Sequence, residues 1–250
     1  MMYLICFVTG LFVGSVLYII IDCLPKQQML FSRTFCARCH SRLQFYDLAP
    51  VIGHIISSGR CQHCGQLFSV RKPIIELVTG FLFFLCITIF DPSMQLVKAL
   101  LFTCFLIVIS FIDYDHSMIY DNVLIPMAVF GVAINLFIGD IKTQNMLFAA
   151  LLGGSIFLML AIISKGGFGG GDIKFMACIG LWLGLKYTIL AVLISFIFGG
   201  LGAAILLLLK KKTITDKFPY GPYIAMASFI TLLYGDYIVT WYWNWAFQVK

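Results

Sequence analysis

The sequence predicts an all-α fold, a polytopic membrane helix bundle of about eight transmembrane helices with one small cytoplasmic loop carrying four cysteines. Three observations predict it. The 250 residues are 61% hydrophobic and only 11% charged, with a mean hydropathy of +1.00, so lipid rather than water is the main solvent. Apolar runs of near-spanning length recur along the chain. Each is longer than a barrel strand, and inside lipid a backbone must satisfy its own polar groups, so the runs are helices.

In chain order the runs are Tyr3 to Ile21, Ile74 to Phe90, Met94 to Ile112, Val123 to Ile138, Met146 to Ser164, Ile173 to Leu185, Tyr187 to Leu209 and Tyr223 to Val239. The sixth is short for a span. If the first helix enters from outside, 17 basic residues distribute to the inner face apart from Lys98, Lys142, Lys186 and Lys250. The positive-inside bias then sets the N-terminus outside. The net charge of +6 therefore reports membrane topology and not nucleic-acid binding. No Lys or Arg precedes the first run and no small-residue cleavage site follows it, so that helix is expected to be retained.

Only residues 25–73 are polar and long enough to form a separate module, which divides the chain into a first helix (1–24), a cytoplasmic loop (25–73) and a bundle (74–250). The loop carries Cys36-Ala-Arg-Cys39 and Cys61-Gln-His-Cys64. Two C-x-x-C pairs can aim four thiolates at one tetrahedral Zn²⁺. Two disulfides are the other reading, which a reducing cytosol disfavours. Four thiolates leave no open coordination position, so such a zinc holds the loop together rather than catalysing. His40 and His63 are surplus to that site. Cys6, Cys23, Cys86, Cys104 and Cys178 lie singly in or beside apolar runs as small hydrophobes.

Acids at a membrane edge are costly and mark function by default. Asp91, Asp140, Asp216 and Asp236 read as solvated loop charges, and Glu76, just inside the second run, is harder to dismiss. Two clusters remain. One is Phe111-Ile-Asp113-Tyr-Asp115-His-Ser-Met-Ile-Tyr-Asp121 and the other Gly169-Gly-Gly171-Asp172-Ile-Lys174, and the topology puts both on the inner face. Two carboxylates sharing one proton form an acid–base pair able to activate water and polarise a peptide carbonyl. The glycines before Asp172 admit close approach of a neighbouring helix or an extended substrate, or else form a plain hinge. Residues two apart on a helix point about 200° away from each other, so Asp113 and Asp115 cannot both face Asp172. Asp113 adjoins the apolar run and is the candidate partner, with Asp115 and Asp121 auxiliary. Lys174 either stabilises a charged Asp172 or anchors the helix at the inner face.

The two acid clusters and the tetracysteine loop resemble the type IV prepilin peptidases, whose second catalytic aspartate lies in a G-x-G-D element, here Gly169-Gly170-Gly171-Asp172. Gly14-Ser15-Val16-Leu17-Tyr18-Ile19 through Cys23-Leu24-Pro25 is similar to the family's G-S-F-L-N-V-x-x-x-R-x-P opening. Pro50, Gly59-Arg60-Cys61, Arg71, Pro73, Glu76 and Pro219-Tyr-Gly-Pro222 also fit. Tyr18, Cys23 and Tyr120 stand where the family usually has Asn, Arg and Pro. The resemblance covers nearly the whole chain. It implies an aspartic endopeptidase with Asp113 and Asp172 as its dyad. The enzyme would remove a short basic leader after a glycine in pilin-like precursors at the cytoplasmic face of the cell membrane. It further implies N-methylation of the new N-terminus with S-adenosylmethionine, an activity associated with the loop, for which Gly59, Arg60 and Glu76 are the carried-over candidates. No G-x-G-x-x-G follows a strand, so the cofactor rests on resemblance alone.

The same acids could instead serve a proton-coupled transporter as a relay. That reading expects a repeated half with matched broken helices, whereas one glycine break is present. A scaffold that docks a partner through the zinc loop is a third reading. Trp241-Tyr-Trp-Asn-Trp245 reads as an interfacial anchor, and Gly199, Gly200, Gly202 and Ala203 as a close-packing stripe.

Overall fold

The computed structural model describes residues 1–26, 39, 60, 63–66, 69–164, 167–208 and 218–247. Among them every regular element of three residues or more is helical: α1 (Met2–Cys23), α2 (Arg71–Ile89), α3 (Met94–His116), α4 (Asp121–Ile138), α5 (Thr143–Ile163), α6 (Gly170–Leu208) and α7 (Gly221–Phe247). All seven are long and apolar enough to cross a membrane. The all-α expectation holds. The chain forms two compact units, Met1–Val108 and Ile109–Lys250.

In the first unit α1 and α2 meet backbone to backbone. A Cβ added to Gly10 would lie 2.7 Å from the Gly80 Cα, and one on Gly14 would lie 2.7 Å from the Glu76 Cα. Gly10 and Gly14 are one helical turn apart, the small-residue spacing that lets membrane helices approach closely. That approach brings the Ser15 hydroxyl to the Glu76 carboxylate, to which it donates a hydrogen bond. The Lys72 ammonium lies 3.8 Å from the same oxygen. Glu76 is only 1% exposed, and its charge is tolerable there because both partners come with the helices that bury it. Pro25, just beyond α1, has no N–H with which to continue the helix.

In the second unit the decisive feature is inside α6. A straight helix of 39 residues would run about 58 Å, nearly twice the roughly 30 Å of bilayer hydrocarbon. It does not run straight: Gly184 leaves helical conformation with φ 74° and ψ 175°, a region essentially closed to residues with a Cβ. Met176 and Thr188 would be about 18 Å apart on one continuous helix. Instead Met176 Cγ and Thr188 Cγ2 each lie 3.1 Å from where a Gly153 Cβ would sit. The two arms, 170–183 and 185–208, therefore double back against α5. The expected boundary between the sixth and seventh runs, at Leu185 to Tyr187, falls beside this break.

A break in hydrocarbon strands polar backbone, and two asparagines repair it. Asn135 of α4, fully buried, donates its amide N–H groups to the carbonyls of Leu181 (2.8 Å) and Trp182 (3.3 Å) at the end of the first arm. The Leu185 N–H that opens the second arm donates to Asn145 Oδ1 of α5 at 2.8 Å. The Trp182 indole also donates to the Met127 carbonyl, filling space that Gly131 leaves. At the far end of α7 the rings of Trp241, Tyr242, Trp243 and Trp245 are exposed and Trp241 stacks on Trp245, as an interfacial anchor would.

Replacing Gly184 with alanine is expected to cost about 1–3 kcal/mol, because alanine cannot hold that backbone conformation without strain. Thermal unfolding of the purified protein in detergent checks it. An unchanged midpoint would mean the reversal does not depend on glycine.

Candidate functional site

Each candidate acid of the second unit sits where a helix begins or ends. α3 runs on unbroken through Asp113 and Asp115 to His116 and stops where Ser117 takes φ 49°. The two side chains consequently diverge: Asp113 is 4% exposed, while Asp115 is exposed. Asp172 lies in the first turn of α6 and is 8% exposed.

The donors that hold these carboxylates are backbone N–H groups freed at helix starts. Gly169 N donates to Asp172 Oδ2 at 3.0 Å, and Asp172 N donates back to the Gly169 carbonyl at 3.1 Å. The acid, three residues beyond the cap, reaches back as in one half of a capping box, while Gly169, with no side chain, offers its backbone carbonyl instead. Asp113 is held from another direction. Gly221 N, opening α7, donates to Asp113 Oδ2 at 2.8 Å in a buried bond. The positive end of the α7 dipole therefore faces Asp113. Pro222 has no N–H, which leaves Gly221 as the donor at that position. The two carboxylates are near enough to act on each other electrostatically.

Glycine is required where the chain passes closest to these acids. A Cβ on Gly221 would sit 2.8 Å from Asp113 Oδ2 and 3.0 Å from its Cγ. A Cβ on Gly171 would sit 2.8 Å from the Ile119 Cβ, so the segment between α3 and α4 packs directly on the turn that carries Asp172. Tyr220 is buried beside them. Its hydroxyl donates to the Ser195 carbonyl at 2.9 Å, and its ring occupies the space left by Gly199. Tyr223 similarly lies over Gly202. Two of the small residues of α6 thus receive the aromatic rings that flank Gly221.

The other expected residues divide. Lys174 Nζ bonds both carboxylate oxygens of Asp121 at 2.8 Å, an exposed pair, so its charge is directed to Asp121 and not to Asp172. Asp236 pairs with Lys186 at 2.8 Å, Asp91 and Asp140 are exposed, and Asp216 is outside the described residues. Of the four loop cysteines, Cys39 is exposed and Cys64 half-buried, while Cys36 and Cys61 lie outside the described residues. Arg60 is exposed, Gly59 lies outside the described residues, and Glu76 faces Ser15 and Lys72. Sequence reasoning did not single out Gly221 or Tyr220 as parts of the site. The signal was present in Pro219-Tyr-Gly-Pro222, a glycine between prolines at the start of an apolar run.

Fold and site together define a membrane-embedded helical protein with two buried acids gathered at helix termini. Residues 8–90 match the family model described as Bacterial Peptidase A24 N-terminal domain, and residues 100–204 match the Type IV leader peptidase family. The chain belongs to the type IV leader peptidase family. It is 33% identical over 243 residues to a protein of Bacillus subtilis (strain 168) named prepilin leader peptidase/N-methyltransferase, covering 95% of this chain and 96% of that one. It is 30% identical to the protein of the same name from Aeromonas salmonicida, covering 87% and 76%. To that of Pseudomonas aeruginosa it is 28% identical, covering 95% and 92%. No solved structure matches the chain.

Gly221→Ala is expected to displace the Asp113 carboxylate and lower precursor cleavage about 10- to 100-fold at equal membrane abundance, since misplacement near 1 Å costs on that order. Gly200→Ala, where an added Cβ meets nothing within 4 Å, is the control and should cut normally. Equal activity of the two variants would refute the close-approach reading of Gly221.

Proposed function

We propose that this protein is an aspartic endopeptidase that removes the short basic leader of type IV prepilin-like precursors at the cytoplasmic face of the cell membrane, with Asp113 and Asp172 as its dyad. The observation that carries the proposal is that two buried carboxylates each have one oxygen held by the backbone N–H of a glycine at a helix start. Held this way, the acids share one proton. The ionised member takes a proton from water as the water oxygen attacks the scissile carbonyl carbon. The protonated member gives its proton to the carbonyl oxygen. The tetrahedral intermediate then collapses with cleavage of the C–N bond, and the leaving amine takes up a proton.

Counting the two arms of α6 on either side of Gly184 as separate spans, we assign the chain eight spans with the N-terminus outside and Asp113, Asp172 and residues 25–73 on the cytoplasmic side, a reading supported by the basic residues there. For the loop the donor chemistry of Cys36, Cys39, Cys61 and Cys64 fits one structural Zn²⁺. Methylation of the new N-terminus is supported by the names of the relatives. When bound, S-adenosylmethionine would supply the methyl group. The burial of Glu76 against Ser15 and Lys72 suits it to fixing the helix that leads out of the loop rather than to touching the methyl donor.

Asp113→Asn and Asp172→Asn should each abolish cleavage of a co-expressed precursor while leaving membrane abundance unchanged, because an amide oxygen still accepts the Gly169 or Gly221 N–H. Cleavage by either variant at the wild-type rate would sink the dyad. Elemental analysis of the purified protein should find about one zinc per chain, lost in Cys36→Ser and Cys61→Ser. A zinc-free wild type would remove the metal from the loop.

A further inference from the structure

We propose that Tyr220 is a positioning residue for the dyad, acting through edge contact with Phe168 to tie together the two backbone segments that hold Asp113 and Asp172. The proposal rests on the aspartic-dyad reading and deepens it. The N–H that holds Asp172 belongs to Gly169 and the one that holds Asp113 belongs to Gly221. The residues immediately before these donors are Phe168 and Tyr220, and their rings meet edge to face, with centroids 4.9 Å apart and planes at 78°. Each carboxylate is thus attached to a glycine whose neighbour grips the other glycine's neighbour. The favourable edge-to-face geometry resists sliding of one ring over the other.

Tyr220 is itself anchored, so the grip has a fixed side. Its hydroxyl reaches the Ser195 carbonyl in the second arm of α6, and its ring fills the notch at Gly199. Phe157 of α5 supports both members, 5.5 Å from Phe168 and 5.9 Å from Tyr220, and stacks on Phe196. Tyr220 also lies close enough to Asp172 to feel its charge. Because two carboxylates share a proton only at close range, a small relative displacement of their carriers is enough to separate them.

The test is steady-state cleavage of a purified precursor in detergent by full-length wild type, Tyr220→Leu, Tyr220→Phe, Phe168→Leu and the Tyr220→Leu/Phe168→Leu double variant, with Asp113→Asn and Asp172→Asn in parallel. Tyr220→Leu is expected to lose about 10- to 100-fold in kcat with KM within about 3-fold, and Tyr220→Phe, which keeps the ring, to recover most of that loss. If the two rings act through one contact, the double variant is no more than about 3-fold slower than the slower single variant. Multiplying losses, a change confined to KM, or wild-type kcat in Tyr220→Leu overturns the proposal. Should Tyr220→Leu fail to accumulate, Phe168→Leu decides alone: reduced kcat at unchanged KM supports the contact and wild-type kcat overturns it. Dead aspartate variants beside a fully active Tyr220→Leu overturn only the positioning role. Active aspartate variants overturn the dyad and this proposal together.

Discussion

A carboxylate inside a bilayer needs hydrogen-bond donors that the protein itself supplies, and a membrane helix has almost none to offer, because its backbone N–H groups are committed to the turn before. The exceptions are the first N–H groups of each helix. Among the described residues of the second unit, both buried acids exploit them. Asp172 folds back on Gly169 at the start of α6, and Asp113, at the end of α3, receives Gly221 from the start of α7. The site is accordingly a gathering of helix termini, and the glycines there serve close approach. A side chain on Gly221 or Gly171 would occupy the place of the Asp113 carboxylate or the Ile119 side chain.

The same constraint explains the rest of the bundle. Where α6 turns back at Gly184, the exposed carbonyls and N–H of the break are taken up by side-chain amides from α4 and α5, so the reversal fits within a membrane that contains no water to hydrate it. In the first unit Glu76 is accepted because α1 and α2 approach closely enough for Ser15 to reach it.

Much of this was legible in the chain. The apolar runs mark the helices, including the boundary beside Gly184, because length and hydropathy alone decide what lipid will accept. Asp113 was distinguishable from Asp115 because one adjoins an apolar run and the two must diverge on a continuous helix. The glycine run before Asp172 marked a close approach without saying to what. The donor at Gly221 was not legible: it lies far from Asp113 in sequence, and a backbone N–H has no side-chain signature. Lys174 was left with two readings in the sequence, a partner for Asp172 or an anchor at the inner face. It stands two residues from Asp172, so the two side chains diverge by about 200° on the helix, and its ammonium reaches Asp121 of α4.

By itself, then, the sequence determined the solvent, the helices and the two acids worth considering, since each follows from composition or from spacing along one segment. Only the tertiary structure decided which backbone N–H holds each acid, that Gly199 and Gly202 make room for Tyr220 and Tyr223, and that Phe168 and Tyr220 meet. Those relations join residues brought together by helices packing across the bundle, and helix packing depends on the shapes of whole faces, which no local pattern in the chain records.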